Sequence, residues 1–178
     1  CGIPGSLGGA LAMNAGCYGG NIWDHVLTVS LINNNGEIIK KNKNDFIVGY
    51  RNTNLEENNF FISAVFKLKK NKLENSLDKI KEFLQDRRSK QPTGLLSCGS
   101  VFKNPHNMYA AKLIESIGLK GYKIGGAYIS EKHANFIISD KLTKSSDIEK
   151  LINFIKKEVF KKKEVVLETE VKFIGNEL

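Results

Sequence analysis

The sequence predicts an α+β fold, and three observations carry that expectation. Residues 26–32 alternate as a strand does, and a second β-rich run, FFISAVFKL, follows at 60–68. From Leu77 the apolar period becomes helical, and two further helical patterns lie beyond it. With 41% apolar and 26% charged residues over 178 positions, the chain has enough core for one domain or two small ones.

In chain order, Val26, Thr28, Ser30 and Ile32 mark the first strand, and Asn33-Asn34-Asn35-Gly36 supplies a turn into a strand returning from Glu37 to Lys40. Tyr50-Arg51 falls in the loop before the Phe60 run. Leu77, Ile80, Phe83 and Leu84 share one helical face, and Lys90-Gln91-Pro92 stops that helix because proline disfavours helix at the residue before it. Asn107 is expected to cap a second helix burying Ala110, Leu113, Ile114 and Ile117, closed by Gly118 at C′. A third is expected from Ser146, with Glu149 completing a capping box and Ile148, Leu151, Ile152, Ile155 and Val159 inward. Val165 to Ile174 reads as a final strand. The expected domains are residues 1–72, a connecting helix over 73–90, and a second domain over 91–178.

Composition narrows the function classes. No run of 18 apolar residues exists, so no membrane helix is expected. The apolar opening lacks a basic region and is broken by Pro4 and five glycines, unlike a signal peptide. Three cysteines, Cys1, Cys17 and Cys98, show no metal-ligand spacing, so reduced thiols, no metal and a cytoplasmic location are expected. The net charge of +8 comes mainly from lysine runs of the kind that sit on solvated faces. No nucleic-acid motif accompanies them, so no nucleic-acid partner is expected.

Five blocks carry chemistry. Gly2-Ile3-Pro4-Gly5-Ser6-Leu7-Gly8-Gly9-Ala10 with Met13-Asn14-Ala15-Gly16 lets backbone approach a ligand closely, and its free N–H groups can form an anion-binding concavity. Tyr50-Arg51 offers a guanidinium able to hold a carboxylate in two parallel hydrogen bonds. Gly99-Ser100-Val101-Phe102-Lys103-Asn104-Pro105 gathers a hydroxyl, a cation and an amide. Ser130-Glu131-Lys132-His133-Ala134-Asn135-Phe136 holds a histidine with no assignable carboxylate partner, read as structural. In Leu167-Glu168-Thr169-Glu170-Val171, alternation puts both carboxylates on one face. Each block alone is better read as an ordinary turn or surface strand.

Together and in this order, the blocks resemble the UDP-N-acetylenolpyruvoylglucosamine reductases over Cys1 to Gly175. That resemblance implies the second half of a PCMH-type FAD-binding domain followed by a small α+β substrate-binding domain. It implies FAD as cofactor, NADPH as reductant, and a UDP-sugar enolpyruvyl ether as substrate. Gly2, Ile3, Pro4, Gly5, Ser6, Gly8, Gly9, Asn14 and Gly16 are the implied flavin contacts, and Lys90, Lys103 and Asn104 the implied substrate contacts. Ser100 is the implied proton donor, Arg51 the carboxylate clamp, and Glu170, chosen over Glu168 because it precedes the valine, a neutral hydrogen-bond donor. Arg51-Asn52-Thr53-Asn54-Leu55 runs quickly to the Phe60 strand without a lid tyrosine, as in the shorter subclass.

In the family a further N-terminal portion precedes the glycine-rich block. The chain alone is therefore expected to bind FAD poorly, and the second reading is a non-catalytic flavin- or nucleotide-binding remnant.

Overall fold

The computed structural model describes residues 5–70 and 76–175. They fall into two compact units, Cys1–Leu77 and Asp78–Leu178, each with its own core. The architecture is α+β. The helix of the expected connector over 73–90 is Ser76–Lys90, and it lies almost wholly in the second unit.

The first unit opens with a short helix, α1 (Leu7–Ala12), capped by Ser6, whose Oγ accepts the Gly9 N–H at 3.1 Å. A small hairpin of β1 (Gly16–Cys17) and β2 (Gly20–Asn21) leads to Trp23. Strands β3 (Val26–Asn33), β4 (Ile38–Asn42) and β7 (Asn59–Phe66) form an antiparallel sheet in the order β4-β3-β7. The turn at 33–36 joins β3 to β4 as expected, pairing Ile32 with Ile38. Between them in the chain and β7 lies a second hairpin, β5 (Val48–Gly49) and β6 (Asn52–Thr53).

Leu11, Trp23, Val26, Val29 and Leu31 make the first core, with Phe46 and Phe61 packed against Trp23. The Leu11 carbonyl at the end of α1 accepts both the Trp23 indole N–H (2.8 Å) and the Thr53 hydroxyl (2.9 Å). These buried bonds moor α1 to the β5–β6 hairpin, and orphaning that carbonyl would cost ~1–3 kcal/mol.

The second unit contains α2 (Ser76–Lys90), α3 (Ala110–Ser116), a meander of β8 (Lys123–Ile124), β9 (Ala127–Ile129) and β10 (Ile137–Ser139), and α4 (Ser145–Lys163). Helix α4 buries Leu151, Ile152, Ile155 and Val159, the face the period predicts, among Ala110, Ile114, Ala127 and Ile129. Its start differs from expectation. The helix begins at Ser145, and Asp147 rather than Glu149 takes the free N–H groups, from Lys144 (3.3 Å) and from Gly126 in the β8–β9 turn (3.4 Å).

Helix α3 is corrected in the same way. Asn107 does not cap it; the Asn104 Oδ1 accepts the Ala110 N–H at 3.1 Å. Residues 165–174 hold no regular strand, only one bridge, Phe102 to Thr169, followed by a bend at 170–171.

Candidate functional site

Around Ser100 the backbone is held from both sides. Gly99 turns the chain at φ 82°, a conformation that strains any side chain, and the chain then bends at Val101 between single bridges at Ser100 and Phe102. On one flank Ser100 bridges to Phe136, and the Val101 N–H donates to the Asn135 carbonyl at 2.9 Å. On the other, the Glu170 N–H donates to the Val101 carbonyl (2.8 Å) and the Lys103 N–H to the Glu168 carbonyl (2.9 Å). Val101 and Phe102 are buried in the second core, while Ser100 and Glu170 are half-buried. Three motif blocks far apart in sequence thus converge, and Glu170 lies against the residue that follows Ser100.

Glu168 and Glu170 part company here. The Glu168 carboxylate, 73% exposed, pairs with Lys103 Nζ at 2.5 Å. Lys103, expected at the substrate, therefore has an internal carboxylate partner, and Asn104 has α3 to cap. Lys90 closes α2, paired with Asp86 four residues back, beside Arg87 and Arg88 in the last turn. Lys132 Nζ donates to the Arg88 carbonyl at 2.5 Å, so the cations at this helix end also serve its dipole.

The 130–136 block is a folded support. Ser130, buried, accepts the Lys132 and His133 N–H groups at its Oγ. Asn135 grips the Phe102 backbone: its Oδ1 accepts the Phe102 N–H (2.9 Å) and its Nδ2 donates to the Phe102 carbonyl (2.8 Å). Sequence reasoning had passed over Asn135. The available signal was a single amide inside the apolar run Ala134–Ile138.

His133 presents Nδ1 as acceptor to the Asn135 N–H at 3.3 Å and meets Phe136 edge-on at 4.9 Å. Burial holds its imidazole below the ordinary value of 6.5; Lys120 lowers it further and Glu115 opposes. Those two charges pair with each other at 2.6 Å, so desolvation dominates. A histidine with a depressed folded value binds fewer protons folded than unfolded. Its stabilising contribution is then whole above about 6.5 and is lost as pH falls toward the depressed value. Urea midpoints from pH 7.5 to 5 should therefore fall less steeply for His133→Gln than for the parent chain. Equal slopes would remove His133 as the source.

In the first unit Gly2, Ile3 and Pro4 lie outside the described residues. Gly5 adopts φ 120° in open space. Gly8 and Gly16 have packing reasons of their own: a Cβ on Gly8 would stand 3.2 Å from the Phe61 carbonyl, and one on Gly16 would collide with Asn21 Oδ1. Gly9 gives its N–H to Ser6.

Asn14, at φ 42° and 7% exposed, donates Nδ2 to the Gly49 carbonyl at 2.9 Å. That bond fixes which way the amide points, and Oδ1 is left buried without a protein donor. Arg51 is the second residue of the two-residue β5–β6 turn, at φ 53°, with its guanidinium 5.2 Å from the Tyr50 ring centre. Cys17 and Cys98 are free thiols. Among the described residues no helix is long and apolar enough to cross a membrane.

Residues 91–174 match the family model described as UDP-N-acetylenolpyruvoylglucosamine reductase, C-terminal domain. Relatives of that name are 47% identical in Legionella pneumophila (strain Corby) and 45% in Coxiella burnetii (strain Dugway 5J108-111), each matched over 98% of this chain. The chain spans only 57% and 55% of those proteins. The crystal structure of UDP-N-acetylenolpyruvylglucosamine reductase (MurB) from Thermus caldophilus superposes with a TM-score of 0.84 at 32% identity, covering 96% of this chain and 61% of that one. With the motif blocks converging as described, residues 91–174 carry the C-terminal domain of the UDP-N-acetylenolpyruvoylglucosamine reductase family, and the chain as a whole is similar to proteins of that name.

Proposed function

We propose that this chain works in the NADPH-dependent, FAD-dependent reduction of UDP-N-acetylglucosamine enolpyruvate to UDP-N-acetylmuramate, a step of peptidoglycan precursor synthesis. The observation that supports the reading most is the half-buried Ser100 held beside Glu170 through the Val101 backbone. A serine hydroxyl is a poor acid, so it needs fixed surroundings to deliver a proton on demand.

The residues present fit a flavin. The buried Asn14 Oδ1 lacks a donor that a flavin N–H or ribityl hydroxyl would supply, and Gly5 leaves its flank open. Gly5, Ser6, Gly9 and Asn14 are the residues that would hold it. When bound, FAD would supply hydride from N5 to the enolpyruvyl methylene carbon. Ser100 then gives its proton to the neighbouring carbon. Arg51 holds the substrate carboxylate and stabilises charge growing on it, and Glu170 as a neutral acid donates to the same developing charge. The cationic end of α2, with Arg87, Arg88 and Lys90, suits the nucleotide's phosphates.

Stopped-flow absorbance on the full-length reductase tests the proposal. NADPH should bleach the flavin band and the enolpyruvyl compound should restore it. Reduced enzyme that stays bleached on adding that compound would overturn the reading.

A further inference from the structure

We propose that Asn135 is a positioning residue for this reaction: its carboxamide grips the Phe102 peptide and so sets the direction in which Ser100 presents its hydroxyl. The inference rests on Ser100 being the proton donor, as proposed above.

The backbone around Ser100 cannot be held by an ordinary ladder. Gly99 turns the chain on one side, Val101 bends it and Pro105 follows on the other, and Ser100 and Phe102 form isolated bridges, to Phe136 and to Thr169. The Phe102 peptide is meanwhile buried, where an unmade N–H or carbonyl bond is costly. A carboxamide offers one acceptor and one donor side by side, the pattern of a strand edge. Asn135, 4% exposed, places both on Phe102, at 2.9 and 2.8 Å, while its own carbonyl takes the Val101 N–H.

Every polar group of Asn135 is used. Its N–H goes to His133 Nδ1. Around this imidazole stand Lys120 and Glu115, paired with each other, and the Phe136 ring. The opposite flank is tied independently by Glu168 and Glu170. Ser100 therefore sits one residue from a peptide and two from another, both immobilised. A leucine of the same shape would pack there but would leave Phe102 unpaired. An aspartate would accept the N–H yet, ionised, repel the carbonyl.

That asymmetry supplies the test, Asn135→Asp. Ionised, the introduced carboxylate keeps one bond and loses the other; protonated, its O–H restores the donor. In the full-length reductase at pH 8, reoxidation by the enolpyruvyl compound should slow by at least ~10-fold, since small displacements of a reacting group cost one to two orders of magnitude. NADPH-driven flavin reduction should stay within about two-fold, because it draws no proton from Ser100. Lowering the pH should bring reoxidation back toward the parent rate.

In this chain without cofactor, Asn135→Ala, which removes the acceptor of the Phe102 N–H, should quicken amide exchange at Phe102 by at least ~10-fold over the parent chain at the same pH, a readout independent of turnover. If Asn135→Asp does not fold at pH 8, Asn135→Ser, too short to reach both groups, should show the same split without the acid recovery. Equal loss in both half-reactions, no loss in either, or unchanged Phe102 exchange each overturns the proposal. A parent enzyme inert toward the enolpyruvyl compound removes the functional reading instead, and the positioning role with it, while the exchange result still decides whether the grip exists.

Discussion

Ser100→Ala in the full-length reductase should cut reduction of the enolpyruvyl substrate by at least ~10²-fold, the lower range for a positioned acid. NADPH-driven flavin reduction should be nearly unchanged, because that half-reaction needs no proton delivered to the substrate. Stability should change little. Ser100 is half-buried, its backbone is held through Phe136, and its neighbours Val101 and Phe102 keep their bonds to Asn135, Glu170 and the core. A purely turn-forming serine would cost ~1 kcal/mol and leave turnover within a few-fold. Stopped-flow traces of the two half-reactions separate the outcomes, and equal loss in both would point to a damaged fold instead.

Arg51→Gly should divorce activity from stability. Arg51 occupies the left-handed region at φ 53° in a two-residue hairpin turn, where a side chain costs ~1–2 kcal/mol and glycine is the natural occupant. Glycine's greater freedom in the unfolded chain takes back ~0.5–1 kcal/mol, and the lost contact with Tyr50 a similar amount. The melting temperature should therefore hold steady or rise slightly. Activity should fall by ~10²–10³-fold if the guanidinium stabilises charge growing on the carboxylate, the usual cost of removing one such donor. Steady-state kinetics beside thermal melts measure both. A variant that is as active as the parent would strip Arg51 of its role, and one that melts far lower would mean the turn needs the arginine for packing.

Strained backbone at Arg51, an unpaired amide oxygen at Asn14 and a peptide gripped by a side chain at Asn135 share a physical character. Each departs from what local preference favours, and each sits in one of the blocks picked out by residue type. Local rules fail where function or long-range support overrides them. The glycines show the converse. Gly8 and Gly16 stood in the same string as Gly5, yet the first two are explained by close packing and only Gly5 by open space.

Elements that repeat their pattern over many residues were legible from the chain alone. The β3–β4 hairpin, the β7 run, the stop of α2 before Pro92 and the buried face of α4 all follow from period and punctuation, which neighbouring residues carry between them. So were the blocks that identify the family. What needed tertiary structure were the choices between near-equivalent groups. Asn104 rather than Asn107 caps α3, Asp147 rather than Glu149 serves α4, Lys103 pairs with Glu168, and the tail over 165–174 pairs too briefly to be a strand. Asn135 belongs to this class, reaching a backbone 33 residues away. The reason is range: a period is written in adjacent residues, whereas a donor's choice among nearby acceptors is settled by which of them the folded core brings within 3 Å or so of it.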